Sequence, residues 1–178
     1  MKNVNLVCIS FLFFILLSGL TSAAYTTVHP HEGRIYMVGG DDEYITLRNS
    51  DSAKDPTYDE LVSFIKSDKT DKKRYTNSYV CSDFAEAVHN NAEKAGIKAG
   101  WVTIDFKAGA GHACNAFNTK DKGIVYIDCT GMPGKNKGPC DKIITIKKGS
   151  KISTKSLYPP LKTWYGMDGI VKKYKIYW

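Results

Sequence analysis

The spacing of apolar positions along this chain changes period several times, and each change marks an element. After Lys2 the positions from Leu6 to Leu17 are almost continuously apolar (LVCISFLFFILL), and small residues follow to Ala24 (SGLTSAA). Such a run is shorter than the roughly 20 residues of a comfortable membrane span, and Ser22-Ala23-Ala24 has the small-x-small pattern of a cleavage site. Residues 1–24 are therefore expected to be a signal peptide, with an uncleaved anchor as the alternative, and the mature chain to begin near Tyr25 without stable membrane insertion. Residues 25–34 (YTTVHPHEGR) follow neither the strand nor the helix period, so a loose lead is expected, with a first strand at Glu43–Arg48 (EYITLR) completing a 25–54 region. From residue 55 to 178 the pattern is that of one domain without repeats. Asp55-Pro56 reads as N-cap and first helical residue, and Tyr58, Leu61, Val62 and Ile65 recur at i, i+3, i+4 and i+7.

A second helix is predicted from Cys81, because Cys81, Phe84, Ala85, Val88, Ala92 and Ala95 form one stripe that closes at Gly96. Three strand-like segments follow, Trp101–Lys107, His112–Thr119 and Ile124–Thr130, separated by GAG and KDKG turns. A helix packed on an antiparallel meander is an α+β arrangement. Two further alternations, KIITIKK and VKKYKIYW, read as strands with lysine on the wet face, a common protection for sheet edges.

Composition narrows the class. Of 178 residues, 43% are hydrophobic and 24% charged, too core-rich for intrinsic disorder. The formal charge of +7 suits attraction to an anionic surface, but no segment resembles a nucleic-acid module. The aromatic C-terminal region with its lysines could add contact to a polymer.

Candidate chemistry lies on the predicted helix and meander. Cys81 at a helix start is exposed to unpaired backbone N–H groups and the positive end of the macrodipole, which favour thiolate. His112 opens one strand and Asp128 ends the next. Their numbers sum to an even value, so a three- or five-residue loop, with Gly123 free to take positive φ, puts them on one face, opposite or diagonal. A two-residue turn would separate them. On one face, a ring nitrogen would lie roughly 2.7–3.2 Å from the carboxylate. In that set Cys81 attacks an acyl carbon, His112 moves the proton and Asp128 holds the imidazole. One oxyanion donor would be the Cys81 N–H, and Tyr75, Asn77 and Tyr79 are unranked candidates for the second.

These three blocks, YVCSDFAEAVHN, GHACNAFNT and VYIDCTG, resemble those of the transglutaminase-like branch of papain-fold thiol enzymes, over about residues 55–131. The run DPTYDELVSFIKSDKTD and the close WYGMDGIVKKYKIYW are similar to secreted prokaryotic members. The resemblance implies Cys81, His112 and Asp128 as a triad, and a chemistry shared by cross-linkers, deamidases, peptidases and cell-wall endoisopeptidases. The expected protein is a secreted or cell-surface thiol acyl-transfer enzyme acting on an amide or isopeptide bond of a peptide or protein. A non-catalytic surface-binding module of the same fold is the alternative.

Other reactive residues read differently. His89 lies about 12 Å along the helix axis from Cys81 at roughly 1.5 Å per residue, too far for proton transfer, so it is expected to be a helix flank. No metal or organic cofactor is implied: His29, His31 and Glu32 stand in the loose lead, and the cysteines lack zinc-site spacing. Cys129 and Cys140, joined by a Gly/Pro-rich segment, are the best candidates for a disulfide in an oxidising compartment, with two free buried thiols as the alternative.

Overall fold

Short ribbons, without need of any alternation in sequence, hold the segment expected to be loose. The computed structural model describes residues 23–131, 140–157 and 169–178, so most of the expected signal, the 132–139 segment and Tyr158, Trp164 and Tyr165 lie outside it. Strands β1 (Tyr25–Val28), β2 (His31–Glu32), β3 (Ile35–Tyr36) and β4 (Leu47–Ser50) all fall within 25–54. β1 pairs antiparallel with β4, from Tyr25 opposite Ser50 to Val28 opposite Leu47. β2 and β3 form a hairpin across Gly33-Arg34, with Gly33 at φ +59°. Both ribbons are largely solvated, which is why no periodicity announces them.

The strand expected at Glu43–Arg48 begins only at Leu47, while Tyr44 makes an isolated bridge to Val38. The first helix, α1 (Tyr58–Ser67), starts two residues later than expected. Its N-cap is Thr57, whose hydroxyl accepts from the Glu60 N–H at 3.2 Å while the Glu60 carboxylate accepts from the Thr57 N–H at 2.7 Å. That reciprocal pair satisfies two otherwise orphaned donors, and it outweighs the Asp55-Pro56 signal. Asp55 instead accepts from the Asn118 amide.

Helix α2 (Cys81–Lys94) begins and ends where the apolar stripe predicts, with Gly96 at φ +79° just past its end. Its stripe packs outward from a six-stranded antiparallel sheet: β5 (Gly100–Phe106), β6 (His112–Thr119), β7 (Gly123–Asp128), β8 (Lys142–Thr145), β9 (Ser153–Ser156) and β10 (Val171–Tyr177), in spatial order β10-β5-β6-β7-β8-β9. The described chain is thus mixed α+β. One apolar layer joins Leu61, Ile65, Val88 and Ala92 to Phe117 and Ile127 of the sheet. The opposite sheet face is also buried, with Val102, Ile104, Cys114, Ala116, Ile144, Ile146, Ile152 and Val171 packed together. This is possible because the sheet curls: the Val171 N–H donates to Ser150 and the Gly149 N–H to Val171, bringing the chain beside β9 against the start of β10. β10 also holds the β2–β3 hairpin, through Lys173 to Glu32 and the Tyr177 hydroxyl to the His31 carbonyl at 2.9 Å. Glu32 and His31 are used in this way, and His29 faces the Ile45 carbonyl at 3.1 Å. Among the described residues no cluster of three metal-ligating side chains forms, and no helix is long and apolar enough to cross a membrane.

His89 is not a flank. It is fully buried beneath β4, its Nε2 lies 2.9 Å from Asn49 Oδ1, and its Nδ1 has no hydrogen-bond partner among the described residues. Burial pushes its imidazole down to about 4, so the folded state keeps it neutral. The unfolded chain binds a proton there as pH falls below about 6.5, so the His89 contribution is present above that value and is lost progressively towards pH 4. Urea denaturation across pH 7 to 4 is therefore expected to show a shallower loss of stability in His89→Gln than in wild type, by up to about 1.4 kcal/mol per pH unit. Coincident slopes would count against this.

Candidate active site

The first turn of α2 is tied down from two directions by one side chain. Asp83, the third helical residue, accepts from the Val80 N–H at 2.8 Å and from the Gly40 N–H at 2.9 Å, both at Oδ2. Its negative charge also complements the positive helix end. Gly39 is required beside it, because a Cβ there would lie 2.1 Å from Asp83 Oδ1. Met37, two residues earlier, packs with Ile45, Leu47, Ala85, Trp101 and Ala113 in the cluster that Cys81 adjoins. The N-terminal segment is thus a wall of the Cys81 site, which the expectation of a loose lead had missed.

Cys81 is the first residue of α2 and stays partly exposed. Its thiol hydrogen-bonds with the His112 side chain, and the Ala113 N–H points at the sulfur. β6 and β7 are joined through a three-residue connection, with Thr119 opposite Gly123 and Gly123 at φ +66°. That register places Asp128 one diagonal step from His112 on the same face. His112 Nε2 lies 3.3 Å from Asp128 Oδ2, marginally longer than expected, which leaves the other ring nitrogen for Cys81. Asp128 is almost fully buried and its second oxygen accepts from the Thr130 N–H at 2.8 Å. The first residue of α2, the first of β6 and the last of β7 therefore meet in space.

Burial alone would push the Cys81 thiol up, but the His112 hydrogen bond and charge and the Ala113 N–H bring it below its ordinary range. His112 moves the other way: burial opposes its charge, yet Asp128 and Cys81 raise it to about 10. For Asp128 burial is likewise outweighed, and His112, Lys142 and Thr130 hold its carboxyl well below the usual carboxylate range. The arrangement favours a thiolate–imidazolium pair over two neutral groups. Lys142 belongs to this site although the sequence pattern assigned it to a wet face: its Nζ lies 3.7 Å from Asp128 Oδ2, and both side chains are nearly buried.

Of the three oxyanion candidates, the structure brings Tyr75 to Cys81, its hydroxyl meeting the Cys81 N–H and its ring stacked on Phe84. Tyr79 turns away: its hydroxyl receives a hydrogen bond from Lys73 and donates to the Asp83 carbonyl. Asn77 is exposed, and its carbonyl lies beneath Gly40. Cys129 and Cys140, expected as a disulfide, are not joined to each other by one. The Cys129 thiol is turned into the α1–α2 core layer and hydrogen-bonds with Asp141, whereas the Cys140 N–H is held by Asp71 at 2.9 Å. Comparison with family models, with curated proteins and with solved structures returns no match to this chain.

Burial raises the Cys114 and Cys129 thiols well above the ordinary range and raises Cys140 as well. Iodoacetamide at pH 6–7 followed by peptide mapping is expected to label Cys81 in the folded protein and to spare the other three. In His112→Ala, Cys81 labelling at that pH should drop by about tenfold or more, because the thiolate loses its counter-ion. Equal labelling of Cys81 and Cys114 would refute the assignment.

Proposed function

We propose that this protein is a thiol acyl-transfer enzyme of transglutaminase-like, papain-type fold that acts on an amide or isopeptide bond of a peptide or protein. The single observation that carries the reading is the contact chain Cys81–His112–Asp128, assembled from a helix start and two neighbouring strands. The α+β order, with the thiol helix outside a curled antiparallel sheet, supports it. The Cys81 thiolate attacks the carbonyl carbon, forming a C–S bond, and the tetrahedral oxyanion collapses as the C–N bond breaks. His112, cationic at the outset, gives its proton to the departing amine. Water or a second amine then loses a proton to His112 while attacking the thioester, and Cys81 leaves as thiolate. Asp128 orients the imidazole throughout. The Tyr75 hydroxyl, which accepts from the Cys81 N–H, and the Ala113 N–H, which faces the sulfur, are the candidates to stabilise the oxyanion in place of Asn77, Tyr79 and the Cys81 N–H itself.

Three assays on a panel of exported and model proteins separate the outcomes: amine incorporation for transamidation, ammonia release for deamidation, and new amino termini for hydrolysis. Cys81→Ala should abolish whichever activity is found while leaving the melting curve unchanged. His112→Ala and Asp128→Asn should each lower kcat by about 10²–10⁴-fold. Full activity in Cys81→Ala would remove the proposal.

On the reading of the first 24 residues as a signal the enzyme works outside the cytoplasm, where a chain of net positive charge meets anionic polymers. A second reading, a non-catalytic surface-binding module, is favoured by one observation. His29, Tyr44, Tyr36 and His31 form a continuous run of exposed rings with centroids 5.2–6.2 Å apart, flanked by the exposed Ile35 and Val38. Pull-down of the Cys81→Ala protein on isolated cell envelopes tests the charge argument. Retention should weaken as salt rises through roughly 0.1–0.5 M, where the Debye length falls from about 10 Å to a few ångström. Binding that is absent or indifferent to salt would contradict it.

A further inference from the structure

We propose that Lys142 is a positioning residue of the Cys81 site, the fourth member of a chain of alternating charge that runs Cys81, His112, Asp128, Lys142. The inference rests on the triad reading and extends it to a residue from a third strand. In the β7–β8 ladder Lys142 stands directly opposite Asp128. It shares a face with Ile144 and Ile146, both buried, and its ammonium reaches the same carboxylate oxygen that His112 uses, at 3.7 Å against 3.3 Å. The side chains of Lys142 and His112 are 11% and 10% exposed and that of Asp128 only 2%, so water screens these interactions weakly.

Charge counting shows what the lysine does. A thiolate, an imidazolium and a carboxylate in one desolvated site sum to −1. Such a site gains by taking up a proton, and the most accessible place for it is the Cys81 sulfur. With the Lys142 ammonium present the four groups sum to zero, and the thiolate persists at neutral pH without that correction. Lys142 also divides the Asp128 charge, so that His112 is not held by the full carboxylate and can release its proton to a leaving group. The other ionisable groups around Asp128 do not replace it. Cys114 lies across from Asp128 on β6, and Cys129 and Cys140 flank it, but burial keeps these thiols protonated. Asp141 acts on Cys129 and Cys140 and Asp71 on Cys140, and a carboxyl group cannot supply the positive charge. Lys142 is the cation that acts on Asp128 besides His112 among the described residues.

The test compares the rate of Cys81 alkylation by iodoacetamide, read by peptide mapping from pH 5 to 10, in wild type, Lys142→Met, Lys142→Arg and His112→Ala. Expected is a shift of the whole Lys142→Met profile to higher pH, with the rate at pH 6 reduced about tenfold, and restoration by Lys142→Arg, which returns the charge. A merely structural role for the aliphatic stem would leave the Lys142→Met profile in place, since methionine keeps most of that stem. Should Lys142→Met fail to fold, Lys142→Gln serves as the neutral variant. Neutral and wild-type profiles that superpose, while His112→Ala still loses low-pH labelling, overturn the role of Lys142 and leave the triad standing. Low-pH labelling that survives in His112→Ala overturns the triad and the role of Lys142 with it.

Discussion

Backbone donors at a strand edge need partners, and the way β4 finds them organises the whole Cys81 region. One edge of β4 pairs with β1. On the other side the Thr46, Arg48 and Ser50 N–H groups donate to the side chains of Glu86, Asn90 and Glu93, at 3.2, 2.8 and 2.8 Å. Alternate strand residues repeat about every 6.8 Å and one helical turn about every 5.4 Å, so flexible carboxylates and an amide at i, i+4 and i+7 can follow the strand for three steps. Glu93 closes the set by accepting from the Ala99 N–H as well, with its other oxygen. A helix edge thereby takes the place of a neighbouring strand. Substituting an apolar residue for Glu93 would leave the buried Ser50 and Ala99 N–H groups unpaired, each at about 1–3 kcal/mol.

That contact gives α2 two faces with different partners. The apolar stripe is pressed onto the sheet, and the polar stripe holds the N-terminal ribbons, so the helix cannot rotate or slide without breaking both. Cys81 inherits this rigidity, because it is the first residue of a helix anchored along its length. Asp83 then extends the restraint to the Gly39-Gly40 segment. The thiol is held at a fixed place relative to β6, where His112 and the Ala113 N–H come from one strand and need no loop to position them.

What could be read from the chain followed the physics of repetition. The α2 stripe, the meander and the parity of His112 and Asp128 are periodic signals, and the structure reproduces the elements they predict. What went unread lacked a period or needed a partner. β1 to β3 are short and solvated, and their pairing depends on β4 and β10, far away in the chain. His89 looked like a flank because the ribbon that buries it was itself invisible. Two misses had legible signals: Thr57-Tyr58-Asp59-Glu60 is a capping box, and Lys142-Ile143-Ile144-Thr145-Ile146 places the lysine on the face of the two buried isoleucines. The general habit of assigning lysine to water overrode the alternation. Cys129 and Cys140 show the converse, since compartment and loop composition suggested a bond that the structure does not contain.

Exposure across the site runs in a definite order, and the order suits the work of each group. Cys81, which in the proposed reaction meets the substrate, remains partly open, whereas His112 is nearly covered and Asp128 is sealed. An ion pair at the surface is worth little because water and salt screen it, so a thiolate held only by surface charge would be weakly favoured and sensitive to ionic strength. Here the charge that determines the imidazole lies deepest, where screening is least, and its influence is passed outward through His112 to the sulfur. Burying a carboxylate so deeply is unfavourable unless its oxygens are satisfied. Asp128 meets that condition with a cation from the preceding strand, a second cation from the following one and a backbone N–H from its own strand end. Strand register supplies the two cations, because His112 stands diagonal and Lys142 opposite to Asp128 on the neighbouring strands, and the Thr130 N–H lies two residues along the chain. The pairing that builds the sheet is therefore also what satisfies the buried carboxylate.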